Sequence, residues 1–240
     1  MTNSSLVDYV KLSPNHSGPR KHAVDYITPH CVVGQCSVEA LGNIFLPTSR
    51  QASCQYGIGI DGRVGMYVEE ANRSWCSSSY ENDNRAITIE CASDSFEPYA
   101  FKPVVYEKLI MLCADICKRY GKKKLLWLKD KEITLAYDPK PDEMILTVHR
   151  WYANKSCPGD WMYARMGDLA AKVTAILAGT QAQPTNDVSA STVPSGTVYR
   201  VQVGAYSEKA NADTQLARVK AAGFSDAFIT TAPTPTKTKG

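Results

Sequence analysis

The sequence predicts an α/β domain, with helices covering a mixed central β-sheet, followed by a small partial β-α-β unit. Three observations predict it. Residues 1 to about 178 alternate strand-like and helix-like patterns, the signature of mixed strands and helices packed on one sheet. Within them AITIECAS (86 to 93) reads as a continuous apolar run, which suits a strand in the middle of a sheet. After residue 178 the composition turns small and polar before a new strand-helix pattern begins.

The elements follow in order. YITPHCVVG (26 to 34) reads as a strand, and SVEALGNIF (37 to 45) as a short helix begun by Ser37, with Ala40 close behind. YGIGIDGRVGMYVEE (56 to 70) is two apolar runs divided by Asp61-Gly62, a hairpin signal. The central run 86 to 93 comes next. KPVVYEKLIMLCADICKRYG opens with Pro103 and closes with Gly121, and Val105, Leu109, Leu112 and Ile116 keep helical spacing between them. A last helix is predicted from about Trp161 to Leu177, with Met162, Met166, Leu169, Val173 and Leu177 as its apolar stripe. Residues 179 to 196 read as a flexible linker. Residues 197 to 231 then give a strand (TVYRVQVGAY), a helix ended by Gly223 and a second strand (FSDAFITT), and 232 to 240 read as a disordered tail.

Composition bounds the function. The chain has 240 residues, is 44% apolar and carries a formal charge of +3, and its basic residues form no long block. That argues against a nucleic-acid partner. The run GKKKLL (121 to 126) reads as a solvated helix end. No stretch approaches the about 18 apolar residues of a membrane span, so no membrane partner is expected. The opening MTNSSLVDYVKLSP lacks a cationic and apolar leader, which predicts a chain made in the cytoplasm without an export signal. The eight cysteines are not spaced like a small disulfide scaffold. Mostly reduced core thiols are expected, Cys113 and Cys117 sharing one helix face, with Cys157 as the exception.

The chemistry gathers around three residues. His149 and Cys157 lie eight positions apart in TVHRWYANKSCPGDW, and His30 ends the early strand in ITPHCVV. Two imidazoles and one thiolate leave a fourth tetrahedral position open, the feature that separates a catalytic zinc site from a closed structural one. A core histidine and a buried thiol are the bland alternative. Glu90 closes AITIE, and a carboxylate after such a run is costly to bury without a task or a partner.

Taken together, TPH on the first strand, YGIGIDGRVGMYV as the hairpin, AITIE on a central strand, and the His149 to Cys157-Pro158 segment with Lys155 resemble the type 2 N-acetylmuramoyl-L-alanine amidases. These share a fold with peptidoglycan recognition proteins. The resemblance covers roughly residues 20 to 178. It implies His30, His149 and Cys157 as ligands of Zn²⁺ and Glu90 as general base. It also implies Lys155 as the cation facing the developing oxyanion, and Tyr56 as a hydroxyl beside the metal that orients water or substrate. The bond cut would be the amide joining muramic acid to L-alanine in bacterial peptidoglycan, as in phage endolysins and bacterial autolysins. Where many members carry Trp-His after the hairpin, this chain has Trp75-Cys76. That departure touches the cleft's peptide contacts and leaves the metal set intact. His16 and His22 match no motif and read as surface residues.

YRVQVGAYSEKANADTQLARVKAAGF resembles the start of a SPOR domain, a peptidoglycan-binding module, and about one of the two β-α-β halves of that fold is supplied. The resemblance as a whole implies an endolysin that accumulates in the cytoplasm and acts on the cell wall after release. A bacterial autolysin or spore-cortex amidase is the nearest rival. A non-catalytic peptidoglycan-recognition protein and a structural zinc domain are the alternatives from other classes. The first usually lacks a metal ligand, and the second wants four.

Overall fold

A computed structural model describes residues 3–180, 206–221 and 227–231. The chain divides into two units, Met1–Thr185 and Asn186–Gly240.

In the first unit the strands and helices run, in chain order, β1 (Tyr9–Val10), β2 (His16–Pro19), β3 (Tyr26–Cys31), α1 (Val38–Phe45), β4 (Tyr56–Ile58), β5 (Val64–Met66), β6 (Asn72–Ser74), α2 (Tyr80–Arg85), β7 (Ala86–Cys91), α3 (Pro103–Arg119), β8 (Lys124–Leu126), α4 (Lys131–Ala136), β9 (Glu143–Leu146), α5 (Asp160–Tyr163) and α6 (Met166–Leu177). Seven strands form one sheet in the order β1-β5-β4-β7-β3-β9-β8, and β2 pairs with β6 apart from it. The β4–β5 pair is antiparallel and every other pair in the large sheet is parallel, so the sheet is mixed, as predicted.

The central position of β7 follows from its residues. Ile87, Ile89 and Cys91 are fully buried and belong to the main core with Leu109, Leu112 and Ile116 of α3 and Leu169 and Val173 of α6. Successive strand side chains alternate faces, so Thr88 and Glu90 project the other way. That second face is partly covered by α1, whose Leu41 and Phe45 pack with Tyr67 and Cys54. Two glycines make room for the Tyr67 ring. A Cβ on Gly65 would lie 2.2 Å from its hydroxyl oxygen, and one on Gly57 would lie 2.7 Å from a ring carbon.

The predicted caps and turns are present. Ser37 accepts from the Ala40 N–H and starts α1. At the Asp61-Gly62 turn Gly62 has φ +83°, and Gly62 and Gly59 donate to Gly59 O and Arg63 O. The hairpin strands end at Met66, short of residue 70, because Tyr67 and Val68 both donate to Gln55 O and the ladder loses its register. The last helix is two pieces: Ala164 and Arg165 separate α5 from α6, and Met162 is buried from the first piece, Leu169 and Val173 from the second. GKKKLL leaves the end of α3 but enters the edge strand β8, where Leu125 is buried and Lys124 is exposed.

In the second unit the predicted helix is α7 (Lys209–Ala221). The predicted strand at 197–206, apart from Tyr206, and the ending at Gly223 lie outside the described residues, as do the tail and all of the linker but Gly179 and Thr180. Of the second strand, residues 227–231 are described and adopt no strand conformation. Among the described residues no helix is long and apolar enough to cross a membrane.

Candidate metal centre

The parallel register of β3 and β7 sets His30 beside Glu90. Both side chains therefore leave the sheet on the face opposite α3. His30 is 1% exposed. Its Nδ1 lies 4.0 Å from Glu90 Oε1 and 3.3 Å from Cys157 Sγ. The His149 ring centroid is 5.0 Å from that of His30, and His149 Nε2 lies 3.2 Å from Ser78 Oγ.

Polar side chains beneath this face hold the segments in place. Thr28 and Thr147 are hydrogen-bonded at 2.7 Å. Asn82 of α2 donates to Thr28 Oγ1 and accepts from the Thr147 and Tyr152 hydroxyls. Thr147 leads into the 3₁₀ turn His149–Trp151, so this network fixes where His149 emerges. Arg150 N–H donates to Cys157 O, which binds the cysteine loop back to the same turn.

Two polar atoms at the centre are sealed from solvent with no hydrogen-bond partner among the described residues: His30 Nε2 and Glu90 Oε2. Such atoms are costly unless something else satisfies them. One ligand atom each from His30, His149 and Cys157 lies within 4.8 Å of the others. Donors around a tetrahedral zinc sit roughly 3.3 to 3.8 Å apart, so this set closes on one ion with small movements. Burial lowers the His30 pKa well below its usual value, and the neighbouring His149 adds to this; His149 is lowered by burial and then by Lys155. Both rings are thus neutral, the form that ligates metals. Burial, and after it the adjacent Cys31, holds the Cys157 thiol well above its usual value, so a thiolate there calls for a cation. The residues fit a divalent metal of the zinc type.

Glu90 is raised to about 7, by burial first and against the opposing field of Arg50. Lys155 is exposed on the wall of a cleft of about 830 Å³ that also contains Glu90, His149 and Cys157. Four of the five non-tyrosine candidates, His30, His149, Cys157 and Glu90, therefore meet, and Lys155 stands at the rim.

Tyr56 does not join them. It pairs with Ile89, one position out of phase with the Gly57–Glu90 pair, and so points into the α3 face. It is fully buried there, accepts from the Ser4 N–H at 2.9 Å and donates to Glu70 Oε1 at 2.5 Å. Glu70 is in turn held by Arg119 at 2.6 and 2.8 Å. The expectation of a metal-side hydroxyl is corrected to a structural one.

The cleft also contains Arg50, Arg73, Trp75, Cys76, Tyr80 and Tyr99, to which no role is assigned from sequence beyond the Trp75-Cys76 departure. The polar loop RSWCSSS was the available signal. Asp83, 2% exposed, accepts from Cys76 N–H, Ser77 N–H and the Ser77 hydroxyl, and so pins this loop to α2. His16 and His22 stand apart, bonded to Gly18 N–H and Ala23 O. All eight cysteines are free; Cys36 and Cys76 share partial exposure with Cys157, while the other five are buried.

A mixed sheet that brings two imidazoles, a thiol and a carboxylate together in an open cleft defines an α/β protein with a candidate metal centre. The family described as N-acetylmuramoyl-L-alanine amidase matches residues 20–160, and the chain belongs to that family. A SPOR domain matches residues 168–232, opening inside α6 rather than at residue 197. Among solved structures, that of PlyL is 15% identical with a TM-score of 0.50, over 69% of this chain and 95% of that one. A selenomethionine derivative of AmpD is 18% identical, TM-score 0.49, over 71% and 99%. The endolysin N-acetylmuramoyl-L-alanine amidase LysCS from Clostridium intestinale URNW is 17% identical, TM-score 0.41, over 65% and 91%. No curated protein matches the chain.

Proposed function

We propose that the chain is a zinc-dependent hydrolase of the amide between N-acetylmuramic acid and L-alanine in bacterial peptidoglycan, working as a phage or prophage endolysin on the cell wall after release from the cytoplasm. The observation that carries this reading is the meeting of His30, His149 and Cys157 beside a Glu90 carboxyl whose Oε2 has no partner among the described residues.

His30, His149 and Cys157 would hold the ion. When bound, zinc supplies Lewis acidity toward the scissile carbonyl and toward water. The chain's own groups do the rest. Glu90, set to about 7, is poised to take the proton of the attacking water and hand it to the leaving L-alanine amine. Lys155 places a cation on the cleft wall against the negative charge that develops on the carbonyl oxygen. The family membership supports the choice of bond, and the SPOR domain supports a second hold on peptidoglycan.

Mass spectrometry of digested peptidoglycan tests the reading. Release of free L-alanine amino termini is expected. New reducing sugar ends would instead indicate a glycosidase, and intact muropeptides bound to the protein would indicate recognition without cleavage.

A further inference from the structure

We infer that His30, Cys76 and Glu90 form a second metal position, sharing His30 with the first and exclusive with it. This rests on the reading of His30, His149 and Cys157 as a metal centre.

Donor atoms of His30, Cys76 and Glu90 lie within 4.8 Å of one another. Cys76 Sγ and His30 Nδ1 are each 4.0 Å from Glu90 Oε1. His30 is 1% exposed, and Glu90 Oε2 is sealed without a hydrogen-bond partner among the described residues. Cys76 is not placed there by a loose loop: its own N–H is bonded at 3.0 Å to Asp83, which is 2% exposed. Imidazole, thiolate and carboxylate are all zinc ligands, and such a mixed set also takes cobalt.

The two positions compete for one nitrogen. His30 Nδ1 is 3.3 Å from Cys157 Sγ and 4.0 Å from Glu90 Oε1, and a single lone pair serves one ion at a time. Cys76 and Glu90 would hold an ion in the second position together with His30, in place of His149 and Cys157. In the second position it occupies the carboxylate that the proposed reaction needs as a base. The second position is therefore a resting one, and Cys76 is the residue that creates it.

The test uses the full-length chain, stripped of metal and reloaded with Co²⁺, read by thiolate-to-cobalt charge-transfer absorption and by cobalt-to-protein ratio. Wild type is expected to take one cobalt per chain. Cys157→Ser should still bind cobalt with a thiolate band, and adding Cys76→Ser should abolish that band. Cys157→Ala carries the same expectation should the serine variant fail to fold. A cobalt-treated Cys157 variant without the band, a band that survives in the double variant, or two cobalt ions per wild-type chain overturns the inference. Wild type that binds no cobalt sinks the metal centre itself, whereas wild type with one cobalt and a bandless Cys157 variant sinks only the second position.

Discussion

Glu90 and His30 are register partners on adjacent parallel strands, and the carboxylate reaches to 4.0 Å from the imidazole while its other oxygen meets no donor among the described residues. A group so placed is either a base in waiting or a defect in the core.

If it is the base, Glu90→Gln should lower kcat by about 100- to 10,000-fold while leaving bound metal per chain unchanged. Steady-state kinetics on purified cell walls, alongside elemental analysis, checks this. Wild-type rates in the variant would remove Glu90 from the reaction.

The same residue sets a pH dependence in the metal-free protein. Its folded-state pKa, about 7, lies above the ordinary carboxylate value of 4.5, so the folded chain holds a proton that the unfolded chain has released. The stability this gives is complete below the ordinary value and is lost as pH rises through 7. With 15% of the side chain exposed, the loss is on the order of 3 kcal/mol. Chemical denaturation of the stripped protein should show Glu90→Gln gaining on wild type by that amount between pH 4 and pH 8. Parallel curves would contradict it.

Chelation should abolish lysis and lower Tm, because an ion that binds only the folded chain at a thousandfold excess over its Kd adds about 4 kcal/mol. Zinc added back should restore both. An unchanged melting curve with a strong chelator would argue that nothing is held at His30, His149 and Cys157.

Lys155→Met should cut kcat by about 100-fold or more with little change in KM, since charge builds on the carbonyl oxygen only in the transition state. An effect confined to KM would make Lys155 a substrate anchor.

Tyr56→Phe separates the structural role of this residue from the catalytic one expected from sequence. The buried Ser4 N–H loses its acceptor, at about 1 to 3 kcal/mol, while turnover of the folded enzyme should stay at the wild-type level. A kcat deficit at full stability would return Tyr56 to the reaction.

Much of this was legible beforehand. The α3 helix declared itself through Pro103, Gly121 and its apolar spacing, and β7 through its apolar run, because those signals are local. The meeting of His30, His149 and Cys157 was expected because their residue types allow one metal and the family resemblance implies them as its ligands. Tyr56 was misplaced because the facing of a strand residue depends on register, and one position of register reverses it. The strands β1, β2, β6, β8 and β9 are two to four residues long, too short for periodicity to show. The role of Asp83 in fixing the Cys76 loop depends on hydrogen bonds that no spacing encodes.

The order of strands across the sheet has a further consequence. The three candidate metal donors come from residues 30, 149 and 157, and β3 can present the first to the others only once β7 and β9 have docked on either side of it. A growing polypeptide on the ribosome has no competent centre until nearly its whole first unit has emerged and collapsed. A fragment that ends before Cys157 therefore lacks part of the donor set, whatever else of the sheet it has formed.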